Sequence, residues 1–291
     1  MDNVLGKKVW KNAYAAIRPP GHHAGSKSED IFGFCLINNV ACGARHAQKA
    51  YGLKKIAIFD WDAHHGDSSQ ALLYNDPNVL YISFHRYENG EFFPGNSGDL
   101  ANTGQGKGEG FNLNMGWNIS WNRDYKIVGN EEYIYAFERL IAPILEEFKP
   151  ELTFISAGFD SCKGDPLGKL GVQPSGYAYI TKRLGDLTVD RRVVVALEGG
   201  YSLACIEQAS ECVFRALREE QAPLASFESG NVKTYAQMFE SAYPTCINFG
   251  RIEESRTVWR KYWPCLNFEA NQNAPIIKLE TQIKAWNDTR D

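Results

Sequence analysis

The sequence predicts an α/β fold, a three-layer α/β/α domain on a mainly parallel sheet. Three observations lead there. Five short runs rich in β-branched and aromatic residues have the length of buried strands rather than helices. Amphipathic helical patterns lie between several of them, and strands alternating with helices imply a parallel sheet covered on both faces. The chain has 291 residues, 44 % apolar and 23 % charged, which suffices for one large α/β domain or two small ones.

The strand runs are "KKIAIFD" (54–60), "NVLYISF" (78–84), "GFNLNM" (110–115), "ELTFISA" (151–157) and "RVVVALE" (192–198). The first helical pattern, 38–52, keeps one apolar face and stops at Gly52, a residue suited to a helix C-terminus. A long amphipathic pattern covers 130–150 and is expected to kink at Pro143. Further helices are expected at 175–187 and 203–220. Residues 1–225 therefore read as one α/β unit, and 226–291 as a helical extension packed on it, with a helix over "RIEESRTVWRKYWPCLNF". The Gly-rich stretch 95–110 leads into a strand, whereas a phosphate cradle needs a helix N-terminus next.

A net charge of −4 argues against a dominant nucleic-acid surface, and no apolar run has membrane-spanning length. The first residues lack the apolar core of a signal peptide. Seven cysteines without a CxxC pair read as reduced thiols of the cytosol or nucleus; Cys205 and Cys212 have no second pair to complete a zinc site.

Ligand sites of open α/β sheets form beyond the C-terminal strand ends. After the first run comes "DWDAHHGD" (60–67), after the second His85, after the fourth "GFDSCKGDP" (158–166), and after the fifth "GGY" (199–201). Carboxylates, imidazoles and a tyrosine thus collect at one edge. In an extended segment residues two apart point the same way, so Asp60, Asp62 and His64 share a direction. Asp62 and His64, with a distant Asp160, make three N/O ligands and leave an open position, as in catalytic divalent-metal sites. Such donors suit zinc and do not exclude Fe(II), Co(II) or Mn(II). The plainer alternative is that the aspartates cap a turn and His64 is a core histidine. All six histidines lie in the first third of the chain, two of them adjacent in "RPPGHHAG" (18–25). His85 reads as structural, His46 as a helix-surface residue, and Cys162 as inert.

The ordered series "RPPGHHA", "GFC", "DWDAHHGD", "LYISFHR", "FFPG", "SAGFD" with "GDPLG", and "LEGGY" resembles zinc-dependent histone deacetylases, class II and in wording class IIb, over about residues 4–220; "KYWPC" resembles the tail of some class II domains. The resemblance implies the arginase/deacetylase type of α/β/α fold. It implies zinc on Asp62, His64 and Asp160, His23 as general base paired with Asp67, and His22 as a neighbouring imidazole oriented by Asp60. Tyr201 would donate to the oxyanion, Phe34 and Phe93 would wall a tunnel for the acetyl-lysine stem, Leu167 would sit at its mouth, and Gly33 would let the backbone approach substrate. A structural potassium would use Asp60 and Ser83 with carbonyls of Asp62, His64 and Phe84. The implied partner is an acetylated protein such as a histone, met in nucleus or cytoplasm, with any corepressor or oligomeric partner left open.

Three features depart from the family pattern. Residues 1–17 are too few for the N-terminal portion that family domains carry, including a sheet strand and rim loops, so a poorly soluble or weakly active protein is expected. Ala63 and Ser68 stand where relatives have a larger aliphatic and a glycine. Leu167 stands where polyamine-preferring relatives have glutamate, which favours acyl-lysine peptides over acetylpolyamines or other small amides. A two-metal arginase-like hydrolase would want more aspartate ligands and has no place for Tyr201. A weakly active scaffold remains the non-enzymatic alternative.

Overall fold

The computed structural model describes residues 1–25, 32–119, 128–219 and 246–267. Six strands form one sheet: β1 (Ala13–Ala15), β2 (Ile56–Asp60), β3 (Val79–Arg86), β4 (Asn112–Trp117), β5 (Leu152–Ala157) and β6 (Val193–Leu197). Their spatial order is β1-β6-β5-β2-β3-β4, and every pairing is parallel. The chain winds outward from β2 through β3 to β4, then returns to β5 on the other side of β2. The β2–β5 pair, in register from Ile56↔Leu152 to Asp60↔Ser156, is therefore the topological switch point, where open α/β sheets place their ligands.

The helices are α1 (Asn39–Tyr51), α2 (Asp67–Leu73), α3 (Asn130–Ala136), α4 (Ala142–Phe148), α5 (Pro174–Leu187), α6 (Leu203–Leu217) and α7 (Cys246–Trp259). Strand alternation sorts them into two layers. Ile56 and Ile58 pack with Val40, Ala41 and Ala44 of α1, Leu73 of α2, and Val4 and Leu5. Ala57 and Phe59 face the larger core, with Ile134, Leu145, Ile180, Val213 and Trp259 from α3 to α7. Three layers follow directly from a central strand buried on both faces.

All five strand runs lie within two residues of where the pattern placed them: the first and third begin two residues later, and the second and third run on to Arg86 and Trp117. The expected kink near Pro143 takes the form of a π-helical turn, Phe137–Ile141, between α3 and α4. A proline lacks an N–H and collides with the preceding turn, and one wide turn relieves both problems. The last helix starts earlier than expected and ends at Trp259, ahead of Pro264. Two elements were not foreseen. Residues 1–17 do supply a strand: Ala13–Ala15 pair with Val194–Ala196, correcting the expectation that this segment is too short for one. Helix α2 follows "DWDAHHG" directly. The boundary at 225/226 and most of the extension lie outside the described residues. No helix among the described residues is long and apolar enough to cross a membrane.

Phe59 is fully buried, with the Phe84 ring at 5.0 Å and the Phe137 ring at 5.6 Å. Phe59→Ala is expected to lower stability by about 3–5 kcal/mol in urea unfolding; a loss below about 1 kcal/mol would mean the two aromatics collapse into the gap.

Candidate active site

Beyond Asp60, the last residue of β2, the chain turns into α2 and keeps its side chains on one edge. Asp62, His64 and, from the segment after β5, Asp160 bring one donor atom each to within 4.8 Å of one another. His64 Nδ1 lies 3.1 Å from Asp62 Oδ1 and 2.9 Å from Asp160 Oδ2. Each carboxylate is held by backbone as well. Asp62 Oδ2 accepts from Gly199 N–H (2.9 Å) and Asp160 Oδ1 from Ala63 N–H (2.7 Å). A Cβ on Gly199 would lie 2.6 Å from Asp62 Oδ2 and 2.7 Å from Asp160 Oδ2, so only glycine lets the chain pass here.

The charges are strongly coupled. Burial pushes Asp160 up to about 7, with the Asp62 charge adding to it. Burial would raise Asp62 too, but the His22 charge and the His64 hydrogen bond overturn this and hold it well below the usual carboxylate range. His64 behaves oppositely: burial lowers it, yet its bonds to Asp160 and Asp62 carry it to about 10. Two carboxylates drawing a proton so firmly onto one imidazole form a site with an affinity for positive charge. Two buried carboxylate oxygens and one partly exposed ring nitrogen, convergent, fit a zinc-type divalent ion.

The adjacent histidines diverge in partner. His22 Nδ1 donates to Asp60 Oδ2 (3.0 Å), and His23 Nδ1 donates to Asp67 Oδ1 (2.7 Å). Burial lowers His22, but Asp62, Asp60 and Glu198 more than offset this and raise it well above its ordinary value. His23 is lowered to about 4 by burial and the neighbouring His22 charge, with Asp67 opposing. The surroundings thus drive the two proton affinities in opposite directions, though the rings are only 4.0 Å apart.

Phe32-Gly33-Phe34-Cys35 is a tight turn closed by Cys35 N–H to Phe32 C=O (3.0 Å), with positive φ at both Gly33 and Phe34. The strained Phe34 is left 64 % exposed with its ring 6.2 Å from that of Tyr201. Phe93 is 41 % exposed and packs against His23 (5.1 Å), His64 (5.9 Å) and Phe32 (4.9 Å). Phe93 is thus packed on the triad's His64, and Phe34 on Tyr201. Tyr201 is half-buried, and burial with the charges of Asp62 and Asp160 raises its phenol well above its ordinary value. Asp60 and Ser83 are register partners; Asp60 Oδ1 accepts from Asp62 N–H (3.1 Å), and the Ser83 hydroxyl is 2.9 Å from His85 Nδ1. His85 is buried and also bonds Gly98 C=O, whereas His46 is on the surface beside Asp2.

Two carboxylates were missed by the sequence reading. Glu198, fully buried, accepts from Gly21 N–H (2.7 Å) and His22 N–H (3.1 Å), and from Ser156 Oγ (3.1 Å). It ties the end of β6 to the histidine doublet. Asp165 accepts from Tyr201 N–H and Leu167 N–H, both at 2.8 Å, fixing two rim residues together. The only sequence signal for either was its place in a strand-end motif.

A three-layer parallel sheet carrying a carboxylate–imidazole triad at its switch point defines the class: an α/β/α protein with a candidate divalent-metal centre. The histone deacetylase domain model matches residues 1–217. The chain is 44 % identical over 210 residues to histone deacetylase HDA1 of Candida albicans (71 % of this chain, 24 % of that protein). It is 37 % identical over 283 residues to histone deacetylase clr3 of Schizosaccharomyces pombe (95 % and 38 %), and 40 % over 264 residues to human histone deacetylase 7 (90 % and 26 %). The crystal structure of the HDA15 HD domain superposes with a TM-score of 0.77 at 37 % identity, covering 91 % of this chain and 65 % of that one. The chain belongs to the histone deacetylase family. It spans about a quarter to two fifths of the length of these curated relatives.

Two outcomes test this geometry. A Cβ on Gly33 would overlap the His23 ring, and φ there is +55°. Gly33→Ala is expected to cost at least about 1–3 kcal/mol from the left-handed backbone alone, read by urea unfolding; a change within about 0.5 kcal/mol would show that the turn yields freely. Glu198→Ala strands two buried N–H groups and is expected to cost about 1–3 kcal/mol, while Glu198→Gln, which can still accept both, should lose clearly less. Equal losses would contradict the clamp.

Proposed function

We propose that this chain is a zinc-dependent hydrolase that removes acetyl groups from lysine side chains of histones or other proteins. The observation that carries it is the triad of buried Asp62 and Asp160 with partly exposed His64, flanked by the His23–Asp67 pair and Tyr201. Asp62, His64 and Asp160 would hold the zinc, which would supply Lewis acidity toward an amide carbonyl and a water.

The remaining chemistry belongs to side chains. His23, neutral and tethered through Nδ1 to Asp67, takes the proton of the attacking water on Nε2, and Asp67 stabilises the imidazolium that results. The proton then passes to the lysine amine as the C–N bond breaks, releasing acetate. Tyr201, kept as a phenol, donates to the developing oxyanion, for which a single donor contributes roughly 3–4 kcal/mol. His22 supplies fixed positive charge between Asp60, Asp62 and Glu198. Phe34 and Phe93 form the walls for the alkyl stem, Leu167 sits at the mouth, and Gly33 lets the backbone beside Phe34 approach the substrate.

A structural potassium on Asp60 and Ser83, with carbonyls of Asp62, His64 and Phe84, accompanies this reading; the pairing of Asp60 with Ser83 across β2 and β3 supports it. Leu167, 46 % exposed and aliphatic, offers no carboxylate for a cationic polyamine. The partner is an acetylated protein and the setting the nucleus or cytoplasm.

With an acetyl-lysine peptide as substrate, His23→Ala is expected to lower kcat by about 10²–10⁴-fold while zinc stays bound. Tyr201→Phe should lower kcat by about 10²–10³-fold with little change in KM, and Asp160→Ala should lose the zinc. Near-normal turnover by His23→Ala would overturn the mechanism. Acetylspermidine turned over faster than the peptide would overturn the substrate assignment.

A further inference from the structure

A metal-binding imidazole is usually aimed by a hydrogen bond from its other ring nitrogen to a carboxylate or carbonyl. His64 presents Nδ1 to Asp62 and Asp160, and none of the described residues accepts from its Nε2. The ring is instead stacked on Phe92, with centroids 5.1 Å apart and planes only 12° from parallel. The same phenyl carries the Arg86 guanidinium, 4.4 Å from its centroid.

Arg86 is itself anchored at both ends. Its Nε–H donates to Glu88 Oε1 (2.7 Å), and that buried carboxylate oxygen also accepts from Ile119 N–H (3.1 Å). Its backbone N–H donates to the carbonyl of Ala63 (2.8 Å), the residue before His64. A continuous chain therefore runs from Glu88 through Arg86 and Phe92 to the ring of His64. Offset stacking fixes the plane of an imidazole, and a cation on the same aromatic holds that aromatic in place.

We infer that Phe92, backed by Arg86, is the positioning element that aims the metal-binding nitrogen of His64. It does the work usually given to a second hydrogen bond. The inference rests on the metal site proposed above, and it concerns how tightly the site holds its ion. An aliphatic side chain at 92 fills space without presenting a flat face. A tyrosine keeps the face.

The test is the transfer of zinc from loaded protein to a chromophoric chelator, followed for wild type, Phe92→Leu, Phe92→Tyr and Arg86→Met, with the melting temperature of each metal-free protein measured in parallel. Phe92→Leu is expected to weaken zinc binding by about 10–100-fold while metal-free melting stays near wild type. Arg86→Met should fall between, and Phe92→Tyr should hold zinc as wild type does. Unchanged zinc retention in both Phe92→Leu and Arg86→Met would overturn the inference, as would a Phe92→Tyr variant as weak as Phe92→Leu. Failure of the metal reading is a separate result, in which the wild-type chain itself takes up no stoichiometric zinc.

Discussion

Four carboxylates, those of Asp60, Asp62, Asp160 and Glu198, are buried together where β2 and β5 part. Removing one charge from water costs several kcal/mol even after relaxation. Four within one cluster would be prohibitive without compensation, and the surrounding structure supplies it. His22 carries positive charge among three of them. Backbone N–H groups of Gly21, His22, Asp62, Ala63 and Gly199 each donate to one. Asp62 and Asp160 draw a proton onto His64 in the metal-free protein. A divalent cation does the same with more charge, so the metal centre and the stability of this edge are one problem.

The fold makes that concentration possible. A parallel sheet ends all its strands at one edge, so five crossovers deliver their polar residues to one place. The central position of β2 and β5 puts the triad at the switch point of the sheet, where the rings of Phe92 and Phe93 pack beside His64. The same packing splits the two histidines. Equal in sequence, they differ in proton affinity because three carboxylates outweigh the burial of His22, whereas burial and the His22 charge outweigh the single partner Asp67 of His23.

The sequence discloses those parts whose signal is local. Buried strand runs are legible because β2 and β5 are apolar on both faces. "DWDAHHGD" is legible because alternation of side chains places Asp62 and His64 together without knowledge of anything distant. The pairing of His22 with Asp60 and His23 with Asp67 came from resemblance, and the hydrogen bonds observed are consistent with it. Contacts that depend on topology were out of reach. Glu198 meets Gly21 across 177 positions, and only the adjacency of chain segments at the sheet edge brings them together. Asp165 reads as a turn residue until Tyr201 is seen above it. The three-residue β1 is too short for any period to register, and its partner β6 alone makes it a strand. Phe92 reads as one half of an aromatic pair, and its neighbour Phe93 drew the functional role.

The claim that a divalent cation completes this buried cluster is tested most directly by calorimetric titration of the metal-free chain with zinc at pH 8, in buffers of different ionisation enthalpy. With His64 pushed up to about 10 in the absence of metal, binding must displace its proton. The account requires one zinc per chain and release of about one proton, both lost when Asp62 and Asp160 are replaced by Asn. No saturable binding, or binding that survives that double replacement, would contradict it.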